Sequence, residues 1–204
     1  MPSWLADGSI GLDLTDPVAV ALAGLRALRR VGIDAALYGG LALAAYGAPR
    51  ETNDADFAVA GAGGRDGAAA LVGLGPDVAL AFDRVRFGGL LVSRITLLPG
   101  GGTTGLNLVG LVEPRSPRLA RAALDRAITG TLRGETIRVL SPEDFVLFKV
   151  LSTRDRDLED AATVLRGLGS NIDHALIERE AAALATEIPD HDVSGRLARV
   201  HLPG

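Results

Sequence analysis

Apolar positions recur with two periods along this chain, and the change from one to the other divides it. After Asp16-Pro17, an N-cap residue with proline at the first helical position, Val18, Leu22, Leu25 and Leu28 follow at helical spacing as far as Gly32, which predicts a helix. Residues 35–38 predict a short buried strand, and Gly39-Gly40 then turn the chain into a small helix over 41–46 that Gly47 and Pro49 end. The next strand is expected at 55–60, followed by a flexible connection at 61–64 and an Ala-rich helix at 66–74. Strand character returns at 78–87, 90–98 and 106–112, with a mobile turn at 99–102. A helical pattern at 118–128 and a strand at 136–140 complete this mixed part. Ser141-Pro142-Glu143-Asp144 is a helix start, with a serine cap, proline at the first position and a carboxylate three residues past the cap. From there the chain reads as helical to its end. Phe145, Phe148 and Leu151 face a core, and further helices begin near Arg156 and span 172–187 and 193–200. The expected architecture is α+β, with a mixed core over 1–140 and a C-terminal helical subdomain over 141–204. Trp4 and Tyr46 read as packing residues.

Composition narrows the function classes. A length of 204 residues suffices for a substantial core, and the absence of cysteine excludes a disulfide framework and any thiolate metal site. The N-terminal stretch has no basic region followed by a long apolar run, and no window reaches the ~18–20 apolar residues of a membrane span. A soluble, cytoplasmic chain with no membrane partner is expected. A net charge of -4 argues against a protein that coats nucleic acid, while leaving local basic patches free to contact RNA. Of the 21 basic residues every one except Lys149 is arginine. Lysine and arginine are inequivalent where a compact, rotatable ammonium is wanted, for example against a triphosphate, so Lys149 is a candidate for function as well as a chance survivor.

The candidate chemistry lies in Arg50-Glu51-Thr52-Asn53-Asp54-Ala55-Asp56. Positions i and i+2 of a strand share a face, so Asp54 and Asp56 would present two carboxylates together at its start. Such a pair resists joint ionisation unless a cation sits beside it. Hard oxygen ligands of this kind suit Mg²⁺ (or Mn²⁺), which takes one or two protein carboxylates and completes its shell with water and substrate phosphates. A bare Asp-x-Asp is equally a turn followed by an exposed strand residue. Gly39-Gly40, between a strand and a helix start, could cradle a phosphate or simply form a tight turn. Arg50 could hold a phosphate or brace the aspartates.

Together these residues resemble the nucleotidyltransferase superfamily to which DNA polymerase β belongs, whose signature is Gly-Gly or Gly-Ser at a helix start and then Asp-x-Asp on the next strand. Gly39-Gly40, Gly47-Ala48-Pro49-Arg50 and Thr52-Asn53-Asp54-Ala55-Asp56 look most like the minimal bacterial members, including the AbiEii-type toxins. A second block, Ser141 to Asp160, resembles the AbiEii-like helical segment in which a lysine precedes an Arg and an Asp-Leu-x-Asp, here Lys149, Arg154, Asp157 and Asp160. The resemblance covers residues 17–168. It implies a polymerase β-like mixed sheet flanked by helices. It implies metal at Asp54 and Asp56, the phosphates of an NTP at Gly39, Gly40 and Lys149, and further nucleotide contacts at Arg50, Thr52 and Arg154. Asp157 would act near the acceptor or nucleotide; an aspartate in the first turn of a helix is also favoured by the dipole alone.

The implied function is transfer of a nucleoside monophosphate from an NTP to RNA, tRNA included, to a protein or to a small-molecule hydroxyl, as in a toxin–antitoxin or phage-defence system. One departure stands out. Many family members carry a third carboxylate on a later strand, and the matching run here is Leu106-Asn107-Leu108-Val109, with Asp83 as a weaker substitute. An asparagine supplies neither charge nor basicity. The alternative is therefore a catalytically reduced member that binds nucleotide as a regulator or as the antitoxin partner of a cognate toxin. Arg115, Arg118, Arg121 and Arg126 form either a basic stripe for RNA or a solvated helix face. His174, His191 and His201 have no metal-ligand spacing.

Overall fold

Asp16 caps the first helix, α1 (Pro17–Arg30), accepting from the Val18 and Ala19 amides at 3.0 and 3.2 Å. The computed structural model describes residues 12–99 and 107–201, so Trp4 and the glycines of the expected turn lie outside the described residues. Strand β1 (Ala35–Tyr38) runs into the four-residue helix α2 (Gly39–Ala42), which continues as a 3-10 turn at Leu43–Tyr46. Then come β2 (Asp54–Val59), α3 (Gly64–Leu71), β3 (Asp77–Phe87), β4 (Leu90–Leu98), β5 (Asn107–Pro114) and α4 (Pro117–Asp125). A hairpin of β6 (Ile128–Leu132) and β7 (Glu135–Val139) precedes α5 (Pro142–Leu151), α6 (Asp155–Leu168), α7 (His174–Glu187) and α8 (Val193–His201).

The strands form one mixed sheet in the order β3-β4-β5-β2-β1-β7-β6. β2 pairs antiparallel with β1 and parallel with β5, and β4 pairs antiparallel with β5 and β3. Helices α1 and α3 cover one face. There Phe57 is fully buried against Gly24 of α1, where a Cβ would lie 2.9 Å from its ring, and Gly67 of α3 sits on Leu111 and Ile95. On the other face Tyr38 packs its ring 5.5 and 5.4 Å from Phe145 and Phe148 of α5. Tyr46 is a packing residue as expected, edge-on to Phe145 with its hydroxyl donating to the Leu140 carbonyl at 2.7 Å. The architecture is the expected α+β one: a mixed sheet, flanking helices and a helical C-terminal part.

Two expectations need correction. The helix predicted to reach residue 128 stops at Asp125, and Ile128–Leu132 is instead a strand. The turn that returns it to β7 has positive φ at both Arg133 (49°) and Gly134 (78°), which suits a tight hairpin. The second correction concerns the arginine stripe. Arg126 makes a bidentate pair with the fully buried Asp144 at 2.9 and 2.6 Å, and Arg118 binds Glu180 and Glu187, both at 2.7 Å. Arg115 binds Asp190 at 2.9 Å. Three of the four arginines thus tie α4 and its flanks to the helical tail. Among the described residues no helix is long and apolar enough to cross a membrane.

Candidate active site

Strand register builds the site. Tyr38 pairs with Asp56, so the turn that follows Tyr38 lies against the acidic end of β2. Gly39 has φ +70°, and a Cβ there would be 2.4 Å from Asp56 Oδ2. At Gly40 a Cβ would be 2.7 Å from the Thr52 Cβ. Both positions therefore need glycine for the close approach alone. The Thr52 hydroxyl accepts from the Asp54 amide at 3.3 Å.

Asp54 and Asp56 share a face, as the i, i+2 spacing requires, and a cation does stand beside them. It is Arg94 of β4, which reaches across β5 through the register Arg94–Gly110–Asp56. Its Nη1 lies 3.0 Å from Asp56 Oδ1 and 3.7 Å from Asp54 Oδ2. Burial pushes the Asp56 carboxyl above the usual range; Arg94 opposes that shift and Asp54 adds to it. Sequence reasoning passed over Arg94, whose one signal is an arginine in the middle of an otherwise mostly apolar strand.

On the opposite wall Lys149 is 2% exposed, and its Nζ donates to Asp157 Oδ1 at 2.6 Å and to Asp160 Oδ2 at 2.9 Å. The same ammonium lies 5.3 and 5.2 Å from the Tyr38 and Phe145 ring centroids. Asp157 also accepts from the Ser152 hydroxyl at 2.5 Å and from Arg154 Nε at 2.8 Å. Burial would raise the Asp157 carboxyl, but Lys149 and these hydrogen bonds outweigh it and hold the group below its ordinary value. Arg50 reaches Asp160 at 3.3 Å, and its buried Nε has no hydrogen-bond partner among the described residues.

All these walls enclose one cleft of about 220 Å³. Nine of the residues named from the sequence line it: Gly39, Gly40, Arg50, Thr52, Asp54, Asp56, Lys149, Arg154 and Asp157. Arg94 and Arg156 join them, and Phe82, Phe87, Leu90, Val92 and Val112 make an apolar side.

Neither third-carboxylate candidate stands in the row of Asp54 and Asp56. Position 107 pairs with Leu97, in the row of Val109 and Leu111 that α1 and α3 cover. The β5 row continuing from Asp54 and Asp56 is Leu108, Gly110 and Val112, which holds no carboxylate. Asp83 accepts from the Gly64 amide at 2.6 Å and the Ser93 hydroxyl at 2.9 Å, beneath α3 on the other side of the sheet. Among the described residues no group of three or more His, Cys, Asp or Glu is placed to hold a metal. The donor chemistry of the Asp pair nonetheless fits Mg²⁺: two carboxylates on one face, with the Asp54 side chain 36% exposed to the cleft, leave positions for water and phosphate.

No family model matches the chain, and no curated protein matches its sequence. Solved structures do resemble it. The antibiotic-resistance factor ANT(2'')-Ia in solution is 16% identical over 85% of this chain and 97% of its own, with a TM-score of 0.50. ANT(2'')-Ia in complex with adenylyl-2''-tobramycin is 16% identical over 83% and 97%, with a TM-score of 0.51. An antigenic nucleotidyltransferase-like protein from Paracoccidioides brasiliensis is 22% identical over 91% and 92%, with a TM-score of 0.49. At these identities the likeness is one of fold, and the fold is that of the nucleotidyltransferases.

Proposed function

We propose that the chain is a nucleotidyltransferase that moves a nucleoside monophosphate from an NTP to an acceptor. The observation that supports this reading is the convergence, in one cleft of a nucleotidyltransferase fold, of a glycine turn, two carboxylates on one strand face and a surplus of positive charge. Asp54 and Asp56 would hold Mg²⁺ or Mn²⁺, which when bound neutralises charge on the entering and leaving oxygens of an in-line displacement. Arg50 and Arg154 would hold the triphosphate, and the buried Arg50 Nε has an unused donor for it. Gly39 and Gly40 bring the backbone close to the phosphates, and Thr52 positions the start of β2. Lys149 contributes its charge from behind its two carboxylates and fixes Asp157 in its ionised form.

Five cationic side chains and three carboxylates line the cleft. That balance favours an anionic acceptor such as an RNA end, tRNA included, over a polycationic aminoglycoside, and it is compatible with the role of a toxin with a cognate antitoxin. A second reading, nucleotide binding without transfer in a regulator or antitoxin partner, is favoured by Arg94 beside the Asp pair and by the carboxylate-free row on β5.

Incubation with each labelled NTP, Mg²⁺ and total RNA, protein or small-molecule hydroxyl acceptors tests the two. Label on an acceptor that disappears in Asp56→Ala supports transfer. Bound nucleotide with no labelled acceptor supports the second reading, and an Asp56→Ala variant with full activity would sink the site assignment.

A further inference from the structure

The geometry points to Arg94 as a resident counter-ion that decides when the acid pair can take a metal: the free chain rejects a free divalent ion, and metal enters only together with the phosphates of a nucleotide. The inference rests on the reading of Asp54 and Asp56 as metal ligands.

Arg94 is placed by the sheet itself. Between it and Asp56 stands Gly110, where a Cβ would lie 2.1 Å from Asp56 Oδ1 and 3.0 Å from Arg94 Nη1. The missing side chain is what lets the two groups meet at 3.0 Å, with the second carboxylate 3.7 Å from the same nitrogen. The Arg94 side chain is only 17% exposed, so the contact is sheltered. A guanidinium is a fixed charge, so its opposition ends only when the side chain moves. A divalent ion at the pair would then face a like charge across a few ångströms of poorly screened space, which opposes binding strongly. Only a competing anion removes that opposition. Phosphate oxygens match the guanidinium fork as well as a carboxylate does, so a triphosphate in the cleft offers Arg94 a new partner and the metal further ligands at the same time.

Titration of Mn²⁺ into the nucleotide-free chain, with the free ion followed by its EPR signal, tests this. Wild type and Arg94→Lys, which keeps a cation, should leave the ion free at concentrations where Arg94→Gln binds it, a difference of at least about tenfold in affinity. With a metal chelator present, wild type should bind the triphosphate and Arg94→Gln should bind it at least about tenfold more weakly. Wild type that binds Mn²⁺ alone as tightly as Arg94→Gln does overturns the inference. So does tight Mn²⁺ binding by nucleotide-free wild type, a result that needs no variant to fold. The underlying reading fails separately: tighter Mn²⁺ binding in Arg94→Gln with no label transfer from any NTP would uphold the counter-ion and refute the transferase.

Discussion

Replacing Lys149 by methionine would leave Asp157 and Asp160, whose side chains are 4% and 9% exposed, without the ammonium they share. Removing one partner of a buried ion pair costs about 3–5 kcal/mol, because a charge stays behind without compensation. Here the lower end applies. Asp157 keeps Ser152 and Arg154, and Asp160 keeps Arg50 at 3.3 Å. A loss of about 3 kcal/mol corresponds to a fall of about 6–12 °C in Tm for a chain of this size. Urea titration followed by far-UV circular dichroism measures it directly. The matched control is Lys149→Met combined with Asp157→Asn and Asp160→Asn, which removes the stranded charges and should recover at least half of the loss.

The pH dependence has a definite sign. Asp157 is held below its ordinary value in the folded chain, so its contribution is complete above the unfolded value of about 4 and is lost as pH falls through the lowered one. In Lys149→Met the Asp157 carboxyl loses the ammonium that holds it low, so the stability curves of wild type and variant should converge toward acid. A variant that loses less than about 1 kcal/mol, or a triple variant as unstable as the single one, would refute the charge argument. In the second case the cost would come from lost packing.

Three further outcomes follow from the same contacts. Gly39→Ala places a Cβ 2.4 Å from Asp56 Oδ2 at a φ of +70°; it should cost about 2 kcal/mol and weaken triphosphate binding, read by calorimetry. Arg126→Ala strips the bidentate partner from the fully buried Asp144 and should cost about 2–3 kcal/mol in urea, whereas the exposed Arg121→Ala should change little. Ser141→Ala removes a cap that accepts from the Asp144 amide at 3.1 Å and should cost about 1 kcal/mol, with unchanged nucleotide binding.

What the sequence disclosed depended on whether the signal was local. The caps at Asp16 and Ser141 mark α1 and α5 because capping is settled within four residues. The shared face of Asp54 and Asp56 follows from strand period alone. Strand β6 was hidden because its apolar residues continue the helical run of α4, and its pairing with β7 is made by a turn whose positive φ at Arg133 no helix pattern announces. Arg94 was hidden for a longer-range reason. Its meeting with Asp56 depends on two successive registers, β4 on β5 and β5 on β2, and a one-residue slip in either would send it to the other face. By the same registers position 107 falls outside the row of Asp54 and Asp56, where a third carboxylate was sought. Lys149 stood out by composition, but its two aspartates on the following helix became partners only once α5 and α6 were packed.

Gly110 also limits which neighbouring sequences this chain can reach. A Gly110→Asp exchange would supply a third acid on the β5 row of the pair, yet its first side-chain atom would fall 2.1 Å from Asp56 Oδ1. Arg94 and Asp56 would both have to be displaced before that acid could be accommodated. A third acid on this row therefore requires the Arg94–Asp56 contact to be remade. In mutational space the arginine-bridged pair as it stands and a third acid at position 110 are alternatives, not additions.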